Sequence, residues 1–134
     1  MSDQLLAKEN PRVVVIQKLY GQHLNKDSEI TFPKHRYKKF IKDVVNGTIE
    51  RKELIQNFMD KELNDDINEN KTELMIKLMI MAAIYEFMFM HKTPVKVVIN
   101  EYLKVADFFV EEPQKGFLNA ILEKASKISR IKNE

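Results

Sequence analysis

The sequence predicts an all-helical fold in a single compact domain of about six helices. Only three glycines and four prolines occur in 134 residues, which leaves few residues for the tight turns of β-hairpins. Residues 74–90 are almost entirely apolar, and only Lys77 and Glu86 interrupt them. A helix that is hydrophobic on all sides has to be buried. We therefore expect this segment to be a central helix, with residues 1–134 forming one domain around it.

The central helix has a predicted start near Lys71, because Asn70 and Glu73 have the spacing of a capping box. Its apolar part is shorter than the roughly 20 residues that a membrane span requires. Two charged residues also lie within it, so we expect a core helix and no membrane contact. The side chains predicted to lie in the interior are Leu78, Ala82 and Tyr85.

Three helices are predicted before the central one. Asn10 followed by Pro11 is a helix-start signal, and it predicts helix 1 over about 11–25. Pro33 is predicted to open helix 2, the pair Asn46-Gly47 to end it, and Thr48 to cap helix 3. The side chains predicted to face the core are Val13, Ile16, Tyr20 and Leu24 of helix 1; Tyr37, Phe40, Ile41, Val44 and Val45 of helix 2; and Ile55, Phe58, Met59 and Leu63 of helix 3.

Two helices are predicted after it. Thr93-Pro94 repeats the cap-plus-proline signal and predicts helix 5 over about 94–109, and Pro113 is predicted to open the last helix. The end of that last helix is basic, and cations there complement the helix dipole without any ligand. The cations concerned are Lys124, Lys127, Arg130 and Lys132.

Composition argues against several kinds of function. The chain has no cysteine, which excludes disulfides and thiolate metal sites and suits a reducing cytoplasm. Residues 1–10 do not resemble a secretion signal, so we expect a cytoplasmic protein. The three histidines fall on different predicted elements, with no second ligand one helical turn away. We also find no phosphate-binding glycine loop and no nucleophile motif, and so expect neither an enzyme nor a bound cofactor.

Two patches could contact nucleic acid. Lys34, Lys38 and Lys42 recur every four residues, which would make either a track for phosphates or a solvated helix face. At the opening of the last helix, Lys115, Phe117 and Asn119 would combine a cation, an aromatic face for stacking and a polar group for a base edge. On composition alone, Phe117 could equally be a core residue.

Together, several segments resemble the NusB family of bacterial transcription antitermination factors. The order and spacing of the matching segments hold from Phe40 to Lys124. The most specific stretches are PVKVVINE (94–101) and FLNAILEK (117–124). The other matches are Arg12 with residues 17–20, residues 40–47 and residues 83–86.

The resemblance implies two packed helical halves, no catalysis, and binding to the boxA element of ribosomal RNA leader transcripts. It also implies a protein partner, the small-subunit ribosomal protein NusE, within an RNA polymerase antitermination complex. The resemblance further implies that the N-terminus and the last helix contact RNA. It assigns RNA-binding roles to Arg12, Phe117 and Asn119, with Lys8 and Lys115 as neighbouring cations. For NusE we expect a surface on helices 4 and 5 that includes Glu101 and Lys104.

The chain differs from the family pattern where RNA contact is expected. The arginine cluster before helix 1 is reduced to Lys8 and Arg12, Gly116 replaces a lysine before Phe117, and Ala120 replaces the motif glycine. An alternative is therefore a helical protein-interaction module that retains NusE binding with little RNA binding. A third class, the RNA-targeting half of a ribosomal RNA methyltransferase, is set aside because such relatives carry a long C-terminal catalytic domain.

Overall fold

The structure, a computed structural model, describes residues 7–67 and 72–132, which form six α-helices and no strands. The all-helical prediction is confirmed. None of the helices in these two ranges combines the length and apolar character needed to cross a lipid bilayer. The helices are α1 (Pro11–Leu24), α2 (Lys38–Glu50), α3 (Lys52–Glu62), α4 (Leu74–Phe89), α5 (Val95–Phe109) and α6 (Glu112–Lys132).

Helix α4 is the centre of the fold. Every residue from Leu78 to Phe87 is buried, and α4 contacts each of the other five helices. Helix α1 packs on α2 on one side of it, and α5 packs on α6 on the other, with a further contact between α1 and α5. The predicted burial of Leu78, Ala82 and Tyr85 is confirmed. Side chains on all sides of α4 thus become hydrophobic core, as expected for a helix without a polar face.

The predicted bounds of α2 were wrong at both ends. The helix begins at Lys38 instead of Pro33, and it continues through Gly47 to Glu50. Gly47 is buried in mid-helix with a negative φ, and a Cβ there would collide with the Tyr85 ring. The glycine is therefore needed for close packing and does not end the helix. Thr48 is buried within α2 and does not cap α3, which begins at Lys52.

The other helix starts lie close to their predicted positions. Asn10 caps α1 as expected, since its Oδ1 accepts hydrogen bonds from the backbone N–H groups of Arg12 (3.0 Å) and Val13 (3.2 Å). Helix α5 begins one residue after Pro94, and α6 begins one residue before Pro113. Asn70 and Lys71, on which the predicted start of α4 depends, lie outside the described residues; the helix begins at Leu74.

Three residues assigned to inner faces are exposed instead. Tyr37 is 44% exposed because it precedes α2, where helical spacing does not apply. Tyr20 and Leu24 lie near the end of α1 and are 38% and 65% exposed.

The basic end of α6 has partners that the dipole argument did not anticipate. The Arg130 guanidinium donates to the carbonyl oxygens of Phe87 (2.7 Å), Thr93 (2.9 Å) and Met90 (3.4 Å). It therefore satisfies the carbonyl group of Phe87, in the last turn of α4, together with carbonyl groups of the connection to α5. Lys124 forms an ion pair with Asp66 at 2.6 Å. The explanation from the dipole of α6 was incomplete, because these two cations bind other elements.

Candidate nucleic-acid interface

A cleft of about 850 Å³ lies beside α1, between residues 8–9 and the connection that leads into α2. We call it the N-terminal cleft. Its described lining includes five cations and a single carboxylate, Glu9. All of the cations are exposed except Lys18, which is half-buried. The cations are Lys8, Lys18, Lys34, Arg36 and Lys38. Such a concentration of one sign of charge in a concave surface favours a polyanionic ligand.

His35 holds the two walls of the N-terminal cleft together. Its Nδ1 accepts a hydrogen bond from the backbone N–H of Tyr37 at 2.9 Å. A neutral ring that accepts at Nδ1 carries its proton on Nε2, which lies 3.0 Å from the carbonyl oxygen of Lys8 and donates to it. No pattern in the sequence indicates this link, which joins Lys8 to His35, 27 residues later, and so brings Lys8 beside the basic segment before α2.

Aromatic side chains accompany these cations. Tyr37 exposes 44% of its surface, and the Arg36 guanidinium lies 5.4 Å from its ring centroid. Phe32 is half-buried, with the ammonium of Lys42 5.9 Å from its ring centroid. Unpaired bases stack on aromatic rings irrespective of sequence. The cleft therefore offers both groups that a single-stranded nucleic acid requires, cations for phosphates and a ring face for bases.

The predicted lysine track is only partly present. Lys34 precedes α2, so it does not continue the helical row formed by Lys38 and Lys42. Lys34 and Lys38 nevertheless line the same cleft, whereas Lys42 does not. Spacing along the sequence identified two of the cleft cations but missed Lys18, whose position on α1 only the packing of α1 against the connection reveals.

Arg12, a predicted RNA contact, lies in the interior. Glu86 accepts hydrogen bonds from its Nη2 at 2.6 Å and its Nε at 3.0 Å, and the Arg12 side chain is 9% exposed. The guanidinium also lies 4.7 Å from the ring centroid of Phe40 and 5.6 Å from that of Tyr102. Burial lowers the pKa of Arg12, but the hydrogen bond and the charge of Glu86 outweigh this and raise it. Arg12 is thus a charged core residue that fixes the start of α1.

Glu86 is satisfied by a third donor as well. The hydroxyl group of Tyr102 donates to its Oε2 at 2.6 Å. Burial and the negative charge of Glu86 together raise the pKa of Tyr102 well above its ordinary value. A lone carboxylate within an apolar helix was visible in the sequence, and it was the available signal for this buried cluster.

The second predicted RNA patch is at the other end of α4. Lys115 forms an ion pair with Asp107 at 2.8 Å, Phe117 is half-buried against the core, and Asn119 is exposed. Gln114, beside this patch, donates to Glu73 at 2.7 Å. Arg12 instead contacts Glu86, about 20 Å further along α4. The structure therefore places the α6 patch far from Arg12, and a ligand touching both ends would have to be extended.

The predicted protein interface is partly exposed. Lys104 is well exposed and contacts Glu101 at 3.0 Å. The side chain of Glu101 is 27% exposed, and its Oε1 lies 3.9 Å from Nη1 of Arg12. Glu101 thus connects this surface with the buried Arg12–Glu86 pair.

Comparisons with known proteins point to one family. A family model described as the NusB family matches residues 4–127. The transcription antitermination protein NusB of Rickettsia typhi is 31% identical over 101 residues, covering 75% of this chain and 63% of that protein. The NusB of Mesorhizobium japonicum is 26% identical over 96 residues, covering 72% and 61%. The matches thus span less than two thirds of these relatives.

A solved structure shares the fold. The structure of T. maritima NusB has a TM-score of 0.79 to this one, over 93% of this chain and 94% of that chain. Sequence identity to it is 20%, so the similarity concerns the helical architecture.

Proposed function

The chain belongs to the NusB family, and we propose on that premise that it is an RNA-binding transcription antitermination factor. Its RNA is boxA of ribosomal RNA leader transcripts, and its protein partner is NusE, within the RNA polymerase antitermination complex. The proteins named in the comparisons are transcription antitermination proteins, which supports the proposal at the level of the process.

The observation that carries the RNA-binding part is the N-terminal cleft. The described lining of that cleft holds five cations and a single carboxylate, and the exposed ring of Tyr37 lies among them. Phosphates supply sequence-independent affinity through release of counterions, whereas unstacked bases supply contacts with ring faces. In this proposal, Lys8, Lys34 and Lys38 contact phosphates and Tyr37 stacks on a base.

The start of α6 provides the second contact. Asn119 is exposed and free to reach a base edge, and the exposed part of Phe117 offers a smaller stacking face. Lys115 would exchange its Asp107 partner for a phosphate. We assign Arg12 a positioning role, since its ion pair with Glu86 holds the first turn of α1, next to Lys8.

A comparison of Lys38→Gln with Lys39→Gln tests the cleft. The two residues are adjacent and exposed at the start of α2, but only Lys38 lines the cleft. Binding to fluorescent boxA RNA is measured by anisotropy at several salt concentrations, with a scrambled RNA in parallel. We expect Lys38→Gln to weaken binding to both RNAs and to reduce the salt slope by about one contact. Equal effects of the two variants would show that the RNA lies elsewhere.

Stacking is tested separately with Tyr37→Ala and Phe117→Ala. Loss of a stacked ring costs about 1–3 kcal/mol of binding free energy. Tyr37→Ala should show this loss without a change in melting temperature, because the side chain is exposed. Phe117→Ala should lower the melting temperature, since the ring also packs against the core. If folded Phe117→Ala binds boxA as well as wild type does, Phe117 is not an RNA contact.

NusE binding is proposed for the surface around Glu101 and Lys104. Complementary charges make association sensitive to salt, so this chain and its own organism's NusE should co-elute at low salt and separate as salt is raised. Lys104→Glu should weaken the complex, whereas Lys61→Glu, at an exposed position of α3, should not. Absence of co-elution at micromolar concentration and low salt would overturn this assignment.

The alternative function is a protein-interaction module with little RNA binding. The observations that favour it are the internal engagement of Arg12 and the ion pair that occupies Lys115. Retained co-elution with NusE, together with no preference for boxA over scrambled RNA in the anisotropy assay, would decide for it.

A further inference from the structure

A second pocket lies on the opposite side of α1 from the N-terminal cleft, and it shares no described lining residue with that cleft. It is formed by the C-terminal part of α1, the junction of α2 and α3, and the start of α4. Its volume is about 410 Å³, within the range of small-molecule sites. We call it the α1–α4 pocket.

The base of the α1–α4 pocket is apolar. Leu19, Leu78 and Met81 are buried, and Ile49 and Leu74 are half-buried beside them. Binding of a hydrocarbon group to such a recess is favourable, because it removes apolar surface from water.

Its mouth carries two lysines and a histidine. His23 and Lys52 are exposed at the pocket, and Lys77 is half-buried beside them. The remaining polar residues of the described lining are two glutamines and two threonines, and the described lining contains neither a carboxylate nor an aromatic ring besides the imidazole of His23. Without carboxylates the described lining does not suit a metal ion, and without a larger ring it offers little stacking for a nucleobase.

We propose that the α1–α4 pocket binds a small amphipathic anion, a carboxylate attached to an apolar chain. The chain lies on Leu19, Leu78 and Met81, and the carboxylate lies at the mouth beside Lys52 and His23. The apolar base argues for the chain of the ligand, and the exposed ammonium of Lys52 argues separately for its carboxylate. This inference is independent of the RNA-binding proposal.

Three ligands of equal chain length test it, namely octanoate, 1-octanol and octylammonium. Binding is followed by calorimetry and by the NMR signals of the methionine methyl groups. Octanoate should bind most tightly, 1-octanol more weakly and octylammonium most weakly, and octanoate should shift the methyl signal of Met81. Octylammonium binding as tight as octanoate binding, or shifts confined to other methionines, would overturn the proposal.

Two pairs of variants locate the ligand. Lys52→Gln should weaken octanoate binding about two- to fivefold, as expected for an exposed ion pair, and leave 1-octanol binding unchanged. Lys61→Gln, an exposed lysine of α3 outside the pocket, should change neither. Gln22→Trp, which fills the pocket, should abolish binding of both ligands, whereas Asn57→Trp on exposed α3 should not. Unchanged octanoate affinity in folded Lys52→Gln and Gln22→Trp would contradict the assignment.

Discussion

Glu86 accepts two hydrogen bonds from the guanidinium of Arg12, at 2.6 and 3.0 Å, and thereby ties the first turn of α1 to the last turn of α4 inside the protein. Removing one partner of a buried ion pair leaves the other as an uncompensated charge. The stability lost when one partner is removed therefore exceeds the stability that the intact pair provides.

Arg12→Ala should destabilise the fold by about 3–5 kcal/mol, because Glu86 then remains buried without its cation. Urea unfolding followed by circular dichroism measures the change. Lys8→Ala is the matched control, since Lys8 is exposed and its loss should change stability by less than about 0.5 kcal/mol. The triple variant Arg12→Met/Glu86→Leu/Tyr102→Phe, which also removes the hydroxyl that Glu86 pairs, should recover much of the loss, and a triple variant as unstable as Arg12→Ala would contradict this account.

Gly47→Ala should destabilise the protein although alanine is the better helix former. The new Cβ would collide with the ring of Tyr85, and overpacking typically costs about 1–3 kcal/mol. Gly21→Ala is the control within α1, where a Cβ meets nothing within 4 Å. It should stabilise the fold by up to about 1 kcal/mol. If both substitutions stabilise the fold, the ring of Tyr85 does not prevent a side chain at position 47.

Unfolding free energy should fall as pH rises from 10.0 to about 12. Burial, together with a hydrogen bond to Asp43, raises the pKa of Tyr85 from 10.0 to about 12. The fold thus favours the neutral phenol, so this contribution to stability is complete below pH 10 and is lost as pH passes through about 12. Urea titrations across this range should show a shallower fall for Tyr85→Phe than for wild type. Tyr102→Phe is the companion variant, because the pKa of Tyr102 is also raised.

Arg130→Met should lower the free energy of unfolding by about 2 kcal/mol or more, since a hydrogen bond from a charged donor contributes about 1.5–3 kcal/mol. The methionine keeps the length of the side chain but cannot donate to the carbonyl groups of Phe87 and Thr93. Lys127→Met, at an exposed position of the same helix, is the control. Hydrogen exchange should show faster opening of the last turn of α4 in Arg130→Met only.

Thr48→Val should leave stability unchanged or raise it by about 1 kcal/mol. The Oγ1 of Thr48 is buried and has no hydrogen-bond partner in the described residues, so its removal relieves an unpaired polar group. Valine has nearly the same shape. A loss of more than about 1 kcal/mol in thermal or urea unfolding would mean that the hydroxyl has a partner in solution.

The helices and the central position of α4 could be predicted from the sequence, because both follow from local composition and periodicity. The end of α2 could not. Asn46-Gly47 has the composition of a helix end, and only the approach of Tyr85, far along the chain, shows that the glycine is needed inside the helix.

The candidate site was predictable to a lesser extent for the same physical reason. The basic segment before α2 and the cation Lys8 were visible, but the hydrogen bond from His35 that joins them spans 27 residues. Arg12 was visible too, whereas its burial depends on Glu86, 74 residues away. A local pattern shows the chemical type of a residue, whereas contacts between distant segments determine whether that residue is buried or lies at a surface.

The cap that Arg130 places on α4 also bears on the order in which the molecule folds. Chains emerge from the ribosome N-terminus first, so α1 to α4 are synthesised before the residue that donates to the carbonyl group of Phe87 in the last turn of α4. Until Arg130 is synthesised, the carbonyl group of Phe87 lacks this donor, and one side of the most apolar helix lacks the cover of α6. We therefore expect a stage of synthesis at which the apolar surface of α4 that α6 later covers is exposed to water.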